Sequence, residues 1–374
     1  MKNILLLFGG KSCEHDISII TGLQYAQNSD VYLYNIIPVY IDKNGSWWTG
    51  KNLLDLDNYH DDHLGKLHKC LIAPNDKSLY ICVHNKYKKY CDIDVAVVCM
   101  HGVNGEDGCV SGLMQLSGIP YTVSGVCGSS VCMDKVVFKY FCKGIGVSVV
   151  DGFSTCEMEC YNDLEKIKKM AGAIGYPVII KPSRQGSSIG IEIAQSEQEL
   201  FAKIKNSLKF DKKLLIEKLI NVKKEINIAL FLSKGEMVYS MCEEPIRSEE
   251  ILSFKDKYVS TGFQGIKRKI PADIDIEMLS KIKEIASTIY TQLDLFGVVR
   301  FDFLLDIDDN LYLNEVNTIP GSMANYLFDK SQYDYKALQD IWLSNAVLRN
   351  KKENENNIRF DTDILSSGVN IIKK

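Results

Sequence analysis

Two apolar segments near the end of the chain carry polar side chains at every second position. The first contains Arg300 and Asp302, and the second contains Glu315 and Asn317. Side chains alternate between the faces of a strand, so each pair lies on one face and a hairpin brings the two pairs together. Two carboxylates and an amide are hard oxygen ligands, which suit Mg²⁺ bound to nucleotide phosphates better than zinc. The alternative is the solvated face of an ordinary hairpin, and the apolar residues between the polar ones argue against it.

The rest of the chain alternates short apolar segments with stretches of helical periodicity. In the first part this alternation predicts a parallel sheet with crossover helices. The predicted strands there cover residues 3–8, 34–40 and 95–100, with a helix from about residue 17 and a hairpin near 78–84. Further on, the pattern predicts helices over 133–143, 161–174 and 276–293, and strands over 176–181, 214–218, 226–232, 236–241, 298–305 and 311–316. At 374 residues the chain is too long for one average domain, and we expect two or three.

Composition argues against several classes of protein. The formal net charge of −4 gives no electrostatic reason to expect binding to nucleic acid or to a membrane surface. The sequence has no apolar stretch of about 18 residues, and the apolar segment 4–8 is too short for a secretory signal. The 12 cysteines form no CxxC motif and many lie in apolar segments, which favours reduced thiols over a disulfide framework. We therefore expect a cytoplasmic protein.

A glycine- and serine-rich turn follows the predicted strand 176–181. It begins at Lys181 and contains Gly186, Ser187 and Ser188. Glycine lets the backbone approach a ligand closely, and the hydroxyls and nearby amides can donate hydrogen bonds to phosphate oxygens. The pattern differs from GxxxxGK(S/T), so the usual P-loop is excluded. A flexible hairpin turn explains the glycine and serines equally well. Lys181, placed at the end of the strand before the turn, favours a phosphate site.

Four more polar residues lie at or near the ends of predicted strands. Glu217 ends an apolar segment and Glu225 follows it, and carboxylates at a strand end can accept hydrogen bonds from ribose hydroxyls. An exposed strand end explains them equally well. Glu14, in the glycine turn after the first strand, could hold a substrate ammonium, and His101 is a candidate acid–base group. Open α/β sheets bind ligands at such carboxyl ends, although ordinary turns contain the same residue types.

Taken together and in this order, these segments resemble the D-alanine–D-alanine ligase family, whose members have the ATP-grasp fold. The resemblance covers about residues 3–330 and rests on eight motifs. They are LFGGKSCEHDIS, HGVNGEDG, SSVCMDK, GYPVIIKPSRQGSSIG, LIEK, FKDKY, VVRFDF and LNEVNTIPGS. The family implies an α/β chain with a parallel N-terminal domain over residues 1–127 and ATP-grasp subdomains over 128–220 and 221–345. Residues 346–374 then form a C-terminal extension.

The resemblance also implies a role for each matched residue. Glu14 resembles the carboxylate that binds the ammonium of the first D-amino acid and forms a hydrogen-bonded triad with Ser187 and Tyr258. Arg300 and the Gly321 amide resemble the family's oxyanion hole. The nucleotide-binding residues are matched by Lys135, Lys181, Ser188, Glu217, Lys218, Leu219, Ile220, Glu225 and Lys257. The ligands of Mg²⁺ or Mn²⁺, with two ions expected, are matched by Asp302, Glu315 and Asn317.

The family further implies a homodimer that ligates two D-alanines through D-alanyl phosphate, for peptidoglycan synthesis. His101 is expected to contact substrate. The acceptor subsite departs from the family pattern, in which a Ser-Leu pair receives the second substrate's carboxylate, because Tyr326 and Leu327 stand there. D-Serine or another D-amino acid is therefore the alternative acceptor, and Tyr258 favours an amine over D-lactate. A non-catalytic ATP-binding module, the remote alternative, would lack metal ligands or triad residues, and all of them are present.

Two further expectations concern the nucleotide side. The stretch 248–269 is long, polar and glycine-containing, so we expect it to close over the site and keep water from the acyl phosphate. Glu225 stands one residue later than the family pattern places the ribose carboxylate.

Overall fold

The computed structural model describes residues 1–59, 66–246, 267–328 and 333–355. Its first sheet, within these residues, has seven strands: β1 (Lys2–Gly9), β2 (Tyr34–Ile41), β3 (Trp47–Thr49), β4 (His68–Ile72), β5 (Ser78–Val83), β6 (Lys86–Asp92) and β7 (Val95–Val98). As predicted, β1 pairs in parallel with β2 on one side and with β7 on the other. The strands β3 to β6 extend the sheet in antiparallel order. The stretch 78–84, predicted as a hairpin, forms only the strand β5, and its partner β6 follows it.

The position of β1 between β2 and β7 explains its continuous apolar sequence. Residues 4–8 are fully buried, as expected for a strand with neighbours on both edges and cover on both faces. The helix α1 (His15–Gln27) packs directly on β1, and α2 (Cys109–Ser117) follows β7. The contact is close, because a Cβ at Gly22 of α1 would lie 2.8 Å from atoms of Phe8. The turn between β1 and α1, which contains Glu14, is therefore held at the carboxyl end of the sheet.

The second sheet consists of β8 (Gly152–Cys156), β9 (Val178–Pro182), β10 (Glu192–Ala194) and β11 (Lys213–Lys218), which pair antiparallel in the order β10-β9-β11-β8. Five helices lie in this part of the described chain: α3 (Val126–Met133), α4 (Lys135–Gly144), α5 (Glu157–Asn162), α6 (Leu164–Ile174) and α7 (Glu197–Ser207). The last three share the apolar core of this sheet. The helices predicted over 133–143 and 161–174 are confirmed as α4 and α6, except that each begins later, after an aspartate that separates it from the helix before it. Asp134 accepts hydrogen bonds from the amides of residues 136 and 137, and Asp163 from that of residue 166, so each caps a new helix.

The remaining strands are β12 (Val222–Ser233), β13 (Glu236–Tyr239), β14 (Glu244–Pro245), β15 (Arg268–Lys269), β16 (Val299–Asp306) and β17 (Leu311–Asn317). An antiparallel sheet has the order β13-β12-β16-β17, and β14 pairs with β15 beside it. The hairpin predicted from the alternating polar residues is confirmed as β16 and β17. The helix α8 (Ile276–Gln292) buries Ile282, Ala286 and Ile289 completely, as helical spacing of its apolar residues requires.

The last helix, α9 (Tyr335–Glu355), returns to the N-terminal sheet and shares its apolar core. Tyr34 Oη donates to Asp340 Oδ1 at 2.6 Å, and the Arg349 guanidinium stacks 3.8 Å from the ring centre of Phe296. The boundary expected at residue 346 falls inside this helix, and Ala346 is fully buried. Among the helices of the described ranges, none is both long and apolar enough to cross a membrane.

Candidate active site

A cavity of about 680 Å³ opens between the carboxyl end of β1, the serine-rich loop after β9, and the strands β12, β16 and β17. The following predicted site residues line it: Glu14, His101, Lys135, Ser187, Glu225, Arg300, Asp302, Glu315, Asn317, Gly321 and Tyr326. A second cavity, of about 10 Å³, is lined in part by Lys135, Lys181 and Glu217. Neither lining includes Ser188, Lys218, Leu219, Ile220 or Leu327. Tyr258, Lys257 and most of the stretch 248–269 lie outside the described residues.

The predicted metal ligands face one another across β16 and β17. In the strand register Asp302 pairs with Glu315 and Arg300 with Asn317. The Arg300 guanidinium donates to both oxygens of Asp302 at 2.7 Å, and the Asn317 amide donates to the same carboxylate at 3.0 Å. Burial raises the pKa of Asp302 to about 6, Arg300 opposes this rise, and Glu315 adds to it. The four side chains therefore form one buried, strongly interacting group.

This group fits a divalent cation by the chemistry of its donors. Glu315 raises the pKa of Asp302 because two neighbouring carboxylates disfavour each other's charge, and a shared cation relieves that repulsion. Carboxylate and amide oxygens are the hard ligands that Mg²⁺ and Mn²⁺ accept. No three His, Cys, Asp or Glu side chains converge in the part of the chain that the structure describes. Here the third donor is the amide of Asn317.

The turn after β1 places Glu14 at one end of the cavity. Ser187 Oγ donates a hydrogen bond to Glu14 Oε1, so two of the three predicted triad residues meet. Gly186 lies against the same carboxylate, because a Cβ there would come within 2.6 Å of Glu14 Oε2. Ser187 and Ser188 have φ angles of 50° and 62°, in the left-handed region that residues other than glycine seldom adopt. The loop is thus bent to bring its backbone against Glu14.

His101 is buried beside the cavity. Its Nε2 forms a 2.9 Å hydrogen bond with Thr21 Oγ1, which accepts a hydrogen bond from the Ser322 amide at 3.3 Å. Burial, together with a smaller effect of the charge of Arg300, lowers the pKa of His101 to about 4. The imidazole is therefore neutral near pH 7, so His101 cannot donate a proton there as an imidazolium acid. Its visible role is to position, through Thr21, the turn that follows β17.

That turn, Gly321–Leu327, has an unusual backbone. Ser322, Met323 and Ala324 have φ angles of 52°, 52° and 49°, a left-handed conformation that costs about 1–2 kcal/mol per residue. Burial of Met323 and Ala324 holds it in place. The turn directs Leu327 into the apolar core, where its side chain is fully buried. Leu327, predicted for the acceptor subsite, is thus fully buried and lines neither cavity, so its place in that subsite stays a prediction.

Glu217 is buried between two lysines and is not an exposed strand end. Its carboxylate oxygens lie 2.6 Å from Lys181 Nζ and 2.5 Å from Lys139 Nζ. Burial by itself would raise the pKa of Glu217, but the two lysines outweigh it and lower the pKa. The sequence reasoning missed Lys139. The available signal was its position four residues after Lys135, which places both lysines on one face of α4.

Lys135 lies between the two cavities and lines both. Its Nζ donates to Gln185 O at 2.8 Å and lies 3.5 Å from Glu315 Oε2. On the other side, Lys181 Nζ donates to Asn314 Oδ1 at 3.2 Å. The two lysines therefore flank the cleft between the two antiparallel sheets, next to the carboxylates that fit a cation. A polyphosphate in this cleft would meet positive charge along its length.

Two buried carboxylates that the sequence reasoning did not assign also line the larger cavity. Glu106 accepts hydrogen bonds from two backbone amides, at 2.8 and 3.3 Å, and burial, followed by the charge of Glu14, raises its pKa to about 8. Glu243 accepts from Tyr326 Oη at 2.9 Å and from Asn227 Nδ2 at 3.0 Å. Glu106 belongs to the HGVNGEDG motif, which was its signal in the sequence. Glu243 has no comparable motif.

Known protein families cover most of the chain. Residues 3–124 match the family described as D-ala D-ala ligase N-terminus, and residues 141–341 match D-ala D-ala ligase C-terminus. The D-alanine–D-alanine ligase of Thermosipho melanesiensis is 39% identical over 100% of this chain and 99% of its own length. That of Clostridium acetobutylicum is 36% identical over 93% of this chain and 99% of its own length.

Solved structures show the same architecture. The D-alanine–D-alanine ligase from Coxiella burnetii has a TM-score of 0.80 at 24% identity and covers 95% of this chain and 96% of its own. The VanG D-Ala:D-Ser ligase from Enterococcus faecalis has a TM-score of 0.78 at 27% identity, with 92% and 99% covered. The predicted α/β ATP-grasp fold is thereby confirmed. With both family matches and full-length relatives in agreement, the chain belongs to the D-alanine–D-alanine ligase family.

Proposed function

We propose that the protein joins two D-alanines in an ATP-dependent reaction and so supplies D-alanyl-D-alanine for peptidoglycan synthesis. One observation carries the proposal. A single cavity brings together a carboxylate suited to a substrate ammonium, Glu14, two carboxylates suited to a cation, Asp302 and Glu315, and the partly buried arginine Arg300. The family to which the chain belongs, and relatives named D-alanine–D-alanine ligase, support the same activity.

In this proposal Glu14 binds the ammonium of the first D-alanine, and Ser187 holds the Glu14 carboxylate in place. A free carboxylate is a poor acyl donor, because its oxygen is a poor leaving group. The substrate carboxylate attacks the γ-phosphorus of ATP, the bond to the β-phosphate oxygen breaks, and D-alanyl phosphate and ADP result. Phosphate then becomes the leaving group in the second step. Tyr258 and Lys257, outside the described residues, keep their predicted roles in the triad and at the γ-phosphate.

Charge on the nucleotide is balanced by side chains from two sheets. Lys135 and Lys181 contact the phosphates, and the Ser188 hydroxyl can donate a hydrogen bond to a phosphate oxygen. Asp302, Glu315 and Asn317 would hold Mg²⁺ or Mn²⁺, and we propose two ions. When bound, these ions would neutralise charge on the phosphates. We place the base and ribose along the end of β11 and the start of β12, at Glu217, Lys218, Leu219, Ile220 and Glu225. A cavity of about 10 Å³ cannot hold a purine, so this cleft has to widen when the nucleotide binds.

The second step forms the peptide bond. The amine of the second D-alanine attacks the acyl carbon, and the carbonyl oxygen becomes an oxyanion before phosphate departs. In our proposal Arg300 and the Gly321 amide face that oxyanion. Burial strengthens the contribution of Arg300, because a charge acts more strongly where water is excluded. Since ATP is made and used in the cytoplasm, we place the reaction there, and we propose a homodimer as the assembled form.

An acceptor panel tests the proposed function. Purified protein is incubated with ATP, Mg²⁺ and D-alanine, with or without D-serine, glycine or D-lactate. Mass spectrometry identifies the product, and coupled ADP release gives the rate. We expect D-alanyl-D-alanine as the main product, and D-alanyl-D-serine as the main product would assign the alternative acceptor instead. Absence of ADP release with every acceptor would show that the protein is not a ligase of this class.

A further inference from the structure

The acceptor amino acid carries a carboxylate that a site of this kind has to recognise. The Ser-Leu pair expected at that position is replaced by Tyr326 and Leu327, and the Leu327 side chain is buried in the core. Among the described residues, three permanently or normally cationic side chains line the larger cavity: Lys135, Arg268 and Arg300. Lys135 lies beside Glu315, and Arg300 donates both its hydrogen bonds to Asp302. Of these three cations, Arg268 is therefore the one that does not lie beside a predicted metal ligand.

Arg268 is held over an aromatic ring at the rim of the cavity. It lies on β15, and its guanidinium carbon is 4.4 Å from the centre of the Tyr326 ring. Its Nη1 lies 3.7 Å from Glu243 Oε2, which is longer than a hydrogen bond. Its side chain is 34% exposed, and within the ranges that the structure covers no acceptor takes a hydrogen bond from it. The guanidinium is thus oriented by stacking and charge while its donors still face the cavity.

The hydroxyl of Tyr326 is not available for the role that a serine hydroxyl would have. It donates to Glu243 Oε1 at 2.9 Å, and Asn227 Nδ2 donates to the same oxygen at 3.0 Å. Glu243 is 3% exposed, so this carboxylate is buried together with its donors. The network fixes the Tyr326 ring on one side and attracts Arg268 on the other. Tyrosine therefore serves here as a platform for a cation.

The same network reaches the reaction centre. Arg300, Tyr326 and Glu243 line the same cavity as Arg268. Asn227, which donates to Glu243, pairs with Asp302 in the register of β12 and β16, so the Glu243 network adjoins the strand that carries the arginine proposed to face the oxyanion. The amine of the acceptor attacks an acyl carbon whose oxyanion faces Arg300 in our proposal. The carboxylate of the same acceptor is only a few bonds from that amine, so it has to lie near Arg300. Arg268 lies on that side of the cavity, together with Tyr326 and Glu243.

We propose that Arg268 binds the α-carboxylate of the acceptor amino acid, with Tyr326 as its platform and Glu243 as the positioning residue. The planar guanidinium offers two parallel N–H donors, which match the two oxygens of a carboxylate. This inference rests on the proposed function, because it assigns one subsite of that reaction. It also explains how the subsite works without the serine of the family pattern.

The test compares an acceptor that has the carboxylate with one that lacks it. D-Alanine and D-alaninamide are supplied together with ATP and Mg²⁺, and mass spectrometry measures the ratio of the two products. D-Alaninamide cannot be phosphorylated at a carboxylate, so it acts only as acceptor. We expect wild type to favour D-alanine, and Arg268→Met to lower this preference by about 10- to 100-fold, the value of charge-assisted hydrogen bonds. The KM for ATP should not change.

Two further variants keep the result interpretable. Lys269→Met removes the neighbouring charge on the same strand, which pairs with Asp273 at 3.3 Å, and should keep the wild-type product ratio. Arg268→Lys keeps the charge without the planar fork and should give an intermediate ratio even if the methionine variant does not fold. A wild-type ratio in both Arg268 variants would overturn the assignment of Arg268 alone. Failure of wild type to form any dipeptide would overturn the proposed function itself.

Discussion

Replacing Gly186 with alanine tests whether the position of Glu14 controls the reaction. The new Cβ would lie 2.6 Å from Glu14 Oε2 and 2.9 Å from Oε1, whereas ordinary contact begins at 3.4 Å. The carboxylate or the loop therefore has to shift by about 0.8 Å. A displacement of about 1 Å in an active site costs about 100-fold in rate, or about 2.7 kcal/mol of transition-state stabilisation. We expect a loss of this order in kcat/KM for D-alanine.

The assay is ADP release at saturating ATP over a range of D-alanine concentrations, with the KM for ATP measured separately. Lys135 Nζ donates to the carbonyl of the neighbouring Gln185, so the KM for ATP reports whether the whole loop has moved: it should rise much less than kcat/KM for D-alanine falls if the strain is taken up by Glu14. Gly172→Ala is the matched control: Gly172 lies in α6, where a Cβ meets nothing within 4 Å. Its activity should be unchanged and its stability slightly higher. A Gly186→Ala protein that folds and retains wild-type kcat/KM would refute the placement of the substrate ammonium at Glu14.

Three other predictions concern the buried charges. Asp302→Asn should abolish ADP release, while its thermal unfolding stays cooperative. The control Asp308→Asn, on the adjoining turn, should remain active. Substantial turnover by Asp302→Asn would contradict the proposed metal site. Lys139→Met leaves Glu217 with Lys181 as its one neighbouring cation, so the free energy of unfolding measured in urea should fall by about 3 kcal/mol. An unchanged free energy of unfolding would show that Lys181 alone is enough to stabilise the buried Glu217 carboxylate. The raised pKa of Glu106, about 8 against an ordinary 4.5, favours its protonated form in the folded protein. Its contribution to stability is therefore complete below about pH 4.5 and lost as the pH rises through about 8. Glu106→Gln should lose less stability than wild type between pH 5 and 8, by about 3 kcal/mol in urea unfolding, and parallel pH profiles would argue against the raised pKa.

The sequence predicts best where one local pattern determines the structure. The alternation of Arg300 and Asp302 with apolar residues predicted both the hairpin and the shared face of its polar side chains, because a period of two has one structural meaning. The apolar run before Gly9 likewise predicted a strand, and that strand is buried. Helix bounds were less predictable. Asp134 and Asp163 are strong N-caps, but their signal lies inside longer helical patterns, and only packing shows that the chain turns at each of them.

The unassigned parts of the site depend on contacts between distant segments. Glu243 receives donors from β12 and from the turn after β17, and Arg268 joins them from a strand of two residues. No local sequence motif predicts that these residues come into contact, because each is an ordinary residue within its own segment. Tyr326 shows the difference clearly. Counting along the motif placed a hydroxyl at the acceptor subsite, whereas the fold directs that hydroxyl to Glu243 and presents the ring to Arg268.

The charges around the cavity make nucleotide binding and cation binding interdependent. Six carboxylates and three lysine or arginine side chains line it in the described chain. Even with Glu106 protonated, the lining is net negative before a polyphosphate arrives, and repulsion is strong where water is partly excluded. Lys135 and Arg300 lie near Glu315 and Asp302, so part of the charge of each already acts on a carboxylate. In the proposed reaction, a cation held by Asp302 and Glu315 would therefore have two effects: it would balance the phosphates, and it would leave both basic groups more free to act on the reacting atoms.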